Sequence, residues 1–228
     1  METITTGRIN VEEFKSWLTQ SKTTRELFRW ECSEQDAYSL LCMAYQKEVE
    51  VRGMQCENSE AVLGYLRDIA KAMTGQSTKC GILLCGNCGN GKTTTMHSFV
   101  SVRKYLDGVR RREAMQKREL LKTLTICVTS ARRLTQVAKD ENAMNEAKTT
   151  QVLCIDDVGL EPTEVLDYGN SINPVIEILE HRYRQQLFTF ITTNLTPKQI
   201  REKYGDRVAD RFNEIMKCIV YETPTFRK

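Results

Sequence analysis

Two hydrophobic rhythms divide the chain near residue 78. Before it, apolar positions recur at helical spacing. Val11, Phe14, Trp17 and Leu18 follow Asn10, with Glu12 and Glu13 in the first turn. Ala37, Leu40, Leu41 and Ala44 follow Ser33 and Asp36 and run up to Gly53, and Val62, Leu66, Ile69, Ala70 and Met73 run up to Gly75. Asn and Ser side chains accept hydrogen bonds from the free amides of a first helical turn, acidic residues there suit the positive end of the helix dipole, and glycine readily ends a helix. The pattern predicts three helices. From Cys80 the rhythm changes: GILLC, LTICV, VLCID, LFTFITT and CIVY alternate with amphipathic stretches such as TTTMHSFVSVRKYL, SARRLTQVAK and PVIEILEHRYRQQ. Short, nearly continuous apolar runs read as strands buried on both faces, and the stretches between them as crossover helices. The expected fold is therefore α/β, a mainly parallel five-stranded sheet with helices on both faces (residues 78–228), preceded by a small all-helical N-terminal module (residues 1–77).

Composition supports a packed core. Of 228 residues, 40% are hydrophobic and 28% charged, with 12 Gly and 4 Pro, which excludes collagenous, low-complexity and largely disordered classes. No apolar run approaches the ~18 residues of a membrane span, and METITTGRINVEEF lacks a secretory h-region, so a cytoplasmic protein with no membrane partner is expected. Nine cysteines, an odd number scattered through apolar segments, read as reduced. The net charge of +3 is unevenly spread: residues 79–150 carry 14 basic and 6 acidic side chains, while the flanking thirds are slightly acidic. That asymmetry fits either a polyanion contact or a solvated helix face.

Candidate chemistry begins immediately after GILLC. Gly86, Asn87, Cys88, Gly89, Asn90, Gly91, Lys92 and Thr93 satisfy G-x-x-x-x-G-K-[ST] with a strand before and a helix after. Such a loop turns successive backbone amides toward an anion, and the helix behind it adds the positive end of its dipole. Lys92 would reach the β- and γ-phosphates, and the Thr93 hydroxyl would bind Mg²⁺. VLCIDDVG then places Asp156 and Asp157 at the carboxyl end of another strand, the edge where open α/β sheets bind ligands. Asp156 is the metal candidate and Asp157 the candidate for polarising an attacking water. LFTFITTN ends in Asn194, an amide suited to a water or the γ-phosphate. Arg207 and Arg211, four residues apart, share a helix face; they read as donors to a γ-phosphate across a subunit boundary, or as internal partners of Asp206 and Asp210.

With GNCGNGKTT, IDDVGLEP, YGNSINPVIEILEHRYRQQ, FTFITTNLT, YGDRVADRF and the final TFR in view, residues 78–228 resemble the AAA+ ATPases of the DnaC-like helicase loaders and the related IstB-like transposition helpers. The resemblance implies a P-loop NTPase sheet, ATP hydrolysis with Mg²⁺, no helical lid domain, and ATP-dependent homo-oligomers forming an open ring or spiral. It makes the loop with Lys92, Thr93 and Thr94 the Walker A element, Asp156 and Asp157 Walker B, and Asn194 sensor 1. Arg211 becomes the arginine finger with Arg207 beside it, and Arg227 a stand-in for sensor 2. It also implies a partner: a replicative hexameric helicase on single-stranded DNA, or a transposase in the alternative. The N-terminal module carries no motif of its own and is assigned to partner binding.

Residues 103–122 carry eight basic and three acidic side chains, including Arg110, Arg111 and Arg112. By resemblance, Arg132, Arg133 and Lys139 lie where related proteins touch DNA. No aromatic or zinc-finger motif is present, so backbone-dominated binding is expected. Cys85 and Cys88 form a C-x-x-C, but a zinc site needs four ligands and no second close pair exists, while a disulfide there would distort the phosphate loop. A non-hydrolysing nucleotide-dependent adaptor is the alternative from another class, and a small-molecule kinase lacks acceptor-binding elements in this sequence.

Overall fold

The computed structural model describes residues 10–21, 26–55, 59–75, 77–121, 124–162, 165–167, 170–223 and 225–226. Chain order is α1 (Val11–Ser21), α2 (Glu34–Val51), α3 (Glu60–Thr74), β1 (Gly81–Gly86), α4 (Lys92–Lys117), β2 (Ile126–Ser130), α5 (Ala131–Gln136), α6 (Glu141–Thr149) and β3 (Val152–Val158). It continues with β4 (Val165–Asp167), β5 (Asn170–Ile172), α7 (Pro174–Gln185), β6 (Phe188–Thr193), α8 (Pro197–Tyr204), α9 (Asp206–Ile215) and β7 (Met216–Tyr221).

The expected caps form. Asn10 Oδ1 accepts the amides of Glu12 and Glu13, and Ser33 Oγ accepts the amide of Asp36. Thr196 and Gln199 make a reciprocal capping box at α8. The five strands read from the apolar runs form one wholly parallel sheet in the order β2-β3-β6-β1-β7. Alternation along β1 feeds two cores. Ile82 and Leu84 pack with α2, α3 and α4 on one face, whereas Leu83 and Cys85 pack with α5 to α9 on the other. This order puts β6 between β1 and β3, so the carboxyl ends that carry the candidate chemistry are neighbours.

Several elements depart from the expectation. Leu41, Leu66, Ile69 and Met73 share one apolar cluster with Leu84, Met96 and Phe99, so a continuous core crosses the boundary expected after residue 77. Helices α2 and α3 are thus part of the sheet's own covering layer. Helix α1 does form, but its face of Val11, Phe14, Trp17 and Leu18 is exposed, with Phe14 stacked on Trp17 at 5.8 Å. The basic stretch at 103–122, expected between the phosphate-loop helix and the second strand, belongs for the most part to that helix itself: α4 runs 26 residues, to Lys117. Its second half is rich in Arg, Lys, Glu, Ala and Met, which outweigh Gly108, and Asp107 pairs with both Arg103 and Arg111. Helix α6 and the β4–β5 hairpin went unread because nine and three residues are too few to display a period.

Arg182 locks the far end of the sheet. Fully buried in α7, it donates to Thr189 Oγ1 and to the carbonyls of Ala147, Thr150 and Phe188, so every donor it commits has an acceptor in place of water. Burial pulls its pKa down to about 10, so it stays charged near neutrality.

Candidate functional site

Strand β1 ends at Gly86 with φ +146, and a Cβ there would lie 2.4 Å from the Tyr221 carbonyl oxygen, so glycine alone allows β7 to close against the loop. Asn90 is buried behind the loop, its Nδ2 donating to that same carbonyl (3.1 Å). Lys92 Nζ lies within the curl and donates to Gly86 O (2.8 Å), Asn87 O (2.6 Å) and Asn90 Oδ1 (3.0 Å). Burial lowers its pKa from the ordinary lysine value, opposed to a lesser degree by Cys88, Asp157, Cys85 and Asp156. Helix α4 starts with Gly91 at its N-cap and no side-chain cap, so its first amides remain available to an anion. Thr94 is buried and its hydroxyl accepts from Arg52 Nη1 (2.9 Å), which ties the end of α2 to the first turn of α4. Phe226 N–H donates to Gly89 O (2.9 Å), bringing the chain's final stretch onto the loop; Arg227 lies outside the described residues.

The two aspartates are brought to this loop and given different settings. Asp156 Oδ1 accepts from Thr93 Oγ1 (3.0 Å) and from Thr192 Oγ1 (2.5 Å). A hydroxyl and a carboxylate this close are the hard oxygen donors that Mg²⁺ selects. The β3–β6 register shifts between Ile155 and Val158, forming a bulge, and within it Asp157 has φ +54. A non-glycine residue in that region costs on the order of 1 kcal/mol or more and persists only where its surroundings over-determine it. Here β6 does so. Asp157 N–H donates to Thr192 Oγ1 (2.9 Å), and Thr193 Oγ1 donates to Val158 O while accepting from Leu195 N–H. Asn194 follows directly on β6, between the ends of β1 and β3. Thr192 was not singled out in the sequence; its signal was its place two residues before Asn194, on the strand between the two site strands.

The arginines stand apart from this loop. Arg211 Nη1 donates to Glu180 Oε1 (2.6 Å) of α7, and its guanidinium lies over the Tyr183 ring (4.8 Å). Its side chain is 19% exposed, against 72% for Arg207, whose Nε lies 3.4 Å from the same carboxylate. The internal partner is therefore Glu180 and not Asp206 or Asp210, both of which pair with Arg201. A neighbour 31 positions away in sequence leaves no local pattern.

Two basic groups are found separately. Arg110, Arg111 and Arg112 lie in the second half of α4, Arg110 3.9 Å from Glu31 and Arg111 2.8 Å from Asp107. Arg132 and Arg133 are exposed on α5, and Lys139 is exposed just after it. The C-x-x-C residues part company: Cys88 is exposed on the loop, whereas Cys85 is buried with its Sγ 3.8 Å from Cys218 Sγ of β7.

No family model matches the chain. It is 24% identical over 169 residues to the replicative helicase loader DnaI of Bacillus subtilis (strain 168), covering 71% of this chain and 50% of that protein. The chain thus spans about half the length of that curated relative. A crystal structure of DnaI superposes with a TM-score of 0.52 at 19% identity, covering 75% of this chain and 87% of the other. A DNA replication initiation factor superposes at 0.50, with 16% identity over 74% of this chain and 48% of that one. These likenesses bear out an α/β fold shared with a helicase loader and with a replication initiation factor, and a sequence similar to that of a replicative helicase loader.

Proposed function

We propose that this chain is an ATP-hydrolysing helicase loader, binding ATP at the β1–α4 loop and using turnover to place or release a replicative helicase on single-stranded DNA. The observation that carries the reading is the meeting of Lys92, Thr93, Asp156 and Asp157 at the sheet's carboxyl edge, in a chain similar in sequence to a helicase loader. Lys92 exchanges the loop carbonyls that it holds for phosphate oxygens. Thr93 and Asp156 would hold Mg²⁺, which when bound would supply neutralising charge to the phosphates. Asp157, set off from Asp156 by the bulge, orients and deprotonates the attacking water, and Asn194 donates to that water or the γ-phosphate.

Arg211, which the resemblance makes the finger, and Arg207 both pair with Glu180; the more exposed Arg207, with the longer contact, is the one better placed to reach the nucleotide of a neighbouring copy in an ATP-dependent open ring or spiral. The basic half of α4 and the α5 region contact the DNA backbone, and exposed α1 belongs to partner contact. The test is ATP-dependent transfer of a purified replicative helicase onto single-stranded circles, with phosphate release measured alongside. Wild-type protein should do both, Lys92→Ala should lose ATP binding, and Asp157→Asn should bind ATP without releasing phosphate. Turnover by Asp157→Asn at the wild-type rate would overturn the hydrolytic assignment.

A further inference from the structure

Beyond Asp157, β3 runs into a tight turn held by groups to which the proposed chemistry gives no task. Leu160 N–H donates to Asp157 O (3.2 Å), so the turn begins at the water-polarising residue itself. Gly159 sits within it at φ +110, and a Cβ there would come within 2.7 Å of Leu195 Cδ1. Glu161 closes the turn. Its carboxylate is buried, with Oε2 accepting Gly159 N–H (2.8 Å) and Oε1 accepting the Tyr204 hydroxyl from the end of α8. Lys203, the residue before, donates through Nζ to the carbonyls of Gly159 and Glu161 (both 2.9 Å). The Tyr204 phenol is pushed well above its ordinary pKa by burial and by Glu161, so it remains a donor.

A buried carboxylate is tolerated where its oxygens are satisfied, and here both are, one by Gly159 N–H and the other by the Tyr204 hydroxyl, so opening either contact should loosen the turn. We infer that Glu161 is a positioning residue for hydrolysis: with Tyr204 and Lys203 it fastens the Asp157–Leu160 turn to α8 and so holds the Asp157 carboxylate in its left-handed setting. The anchorage of the two aspartates is then divided. Asp156 is held through its carboxylate by Thr93 and Thr192, whereas Asp157 is held at both backbone groups, its amide by Thr192 and its carbonyl by the turn that Glu161 closes. The same α8 continues through Gly205 into α9 with Arg207 and Arg211, so the clasp also joins the Asp157 turn to the helix pair that bears the arginines.

The inference rests on the proposed hydrolysis and is tested on the full chain with ATP and Mg²⁺. Glu161→Gln and Tyr204→Phe should each lower kcat about tenfold with ATP KM and directly measured ATP Kd unchanged, because the metal and phosphate ligands are anchored elsewhere. The double variant should be no slower than the slower single one, since both changes open one clasp. Ile200→Val, which thins the packing of α8 without touching the clasp, should lower Tm while leaving kcat at the wild-type value. A matching loss of ATP affinity, additive losses in the double variant, or unchanged kcat in Tyr204→Phe would each overturn the role. If Asp157→Asn is inactive and Tyr204→Phe is as fast as wild type, the clasp alone is refuted; if Asp157→Asn hydrolyses normally, the reading of the site falls with it.

Discussion

Replacing Thr192 by valine isolates the hydroxyl that serves both aspartates. The side chain is buried, its Oγ1 accepts from Asp157 N–H at 2.9 Å and donates to Asp156 Oδ1, and valine matches its shape without either function. An orphaned buried donor costs about 1–3 kcal/mol, and a lost hydrogen bond to a carboxylate about 1.5–3 kcal/mol. Asp156 keeps the Thr93 hydroxyl, so the second loss falls at the low end and the sum is about 3 kcal/mol. In a chain of this size ~1 kcal/mol corresponds to about 2–4 °C, which predicts a fall in Tm of about 6–12 °C. Thr192→Ser retains the hydroxyl and should lose only about 1 kcal/mol for the missing methyl. Turnover should separate further: with its amide unfastened, Asp157 moves off line, and displacement of about 1 Å in a reacting group costs about a hundredfold. Thermal melts and phosphate release on the Ser and Val variants provide the assay. Valine equal to serine in both stability and rate would refute the claim that Thr192 positions the pair.

Three further outcomes follow from the same geometry. Arg207→Ala and Arg211→Ala should each bind ATP, and activity on mixing with Asp157→Asn subunits should return for the variant whose arginine acts across the boundary; the exposure difference assigns that to Arg207, and rescue of Arg211→Ala alone would reverse the assignment. Replacing Arg110, Arg111 and Arg112 together should weaken single-stranded DNA binding and flatten its dependence on salt, whereas an unchanged slope returns this face of α4 to a solvated surface. Cys218 has its pKa lowered because the Cys85 thiol hydrogen-bonds to its thiolate, so near neutral pH it should be alkylated faster in the wild type than in Cys85→Ala; mass mapping that shows equal rates at Cys218 in the two proteins contradicts the pairing.

The parts of the fold that can be read from the chain are those with a strong local cause. Five apolar runs became the five strands, and Asn10, Ser33 and Gly53 mark helix boundaries because capping acts over three or four residues. Lys92, Thr93 and Asp156 were legible for the same reason, since a glycine-rich G-x-x-x-x-G-K-[ST] loop and a strand ending in paired acids are compact signatures, and the structure joins Thr93 to Asp156 through a hydrogen bond. Contacts that depend on packing order were not legible. Thr192 matters because β6 lies between β1 and β3, Glu180 because α7 meets α9, and Glu161 because α8 returns over the end of β3. The placement of α2 and α3 in the sheet's own core has the same origin: helical periodicity states which face is apolar and not what covers it.

Trapping would show whether the proposed ATPase serves a replicative helicase. Asp157→Asn protein, held with ATP and Mg²⁺ in extract of its native cell, should retain its partner for recovery and mass spectrometry, with Lys92→Ala as the nucleotide-free control. Recovery of a replicative helicase by the first and not the second is the predicted result. Recovery of a transposase, or of the same proteins by both variants, would contradict it.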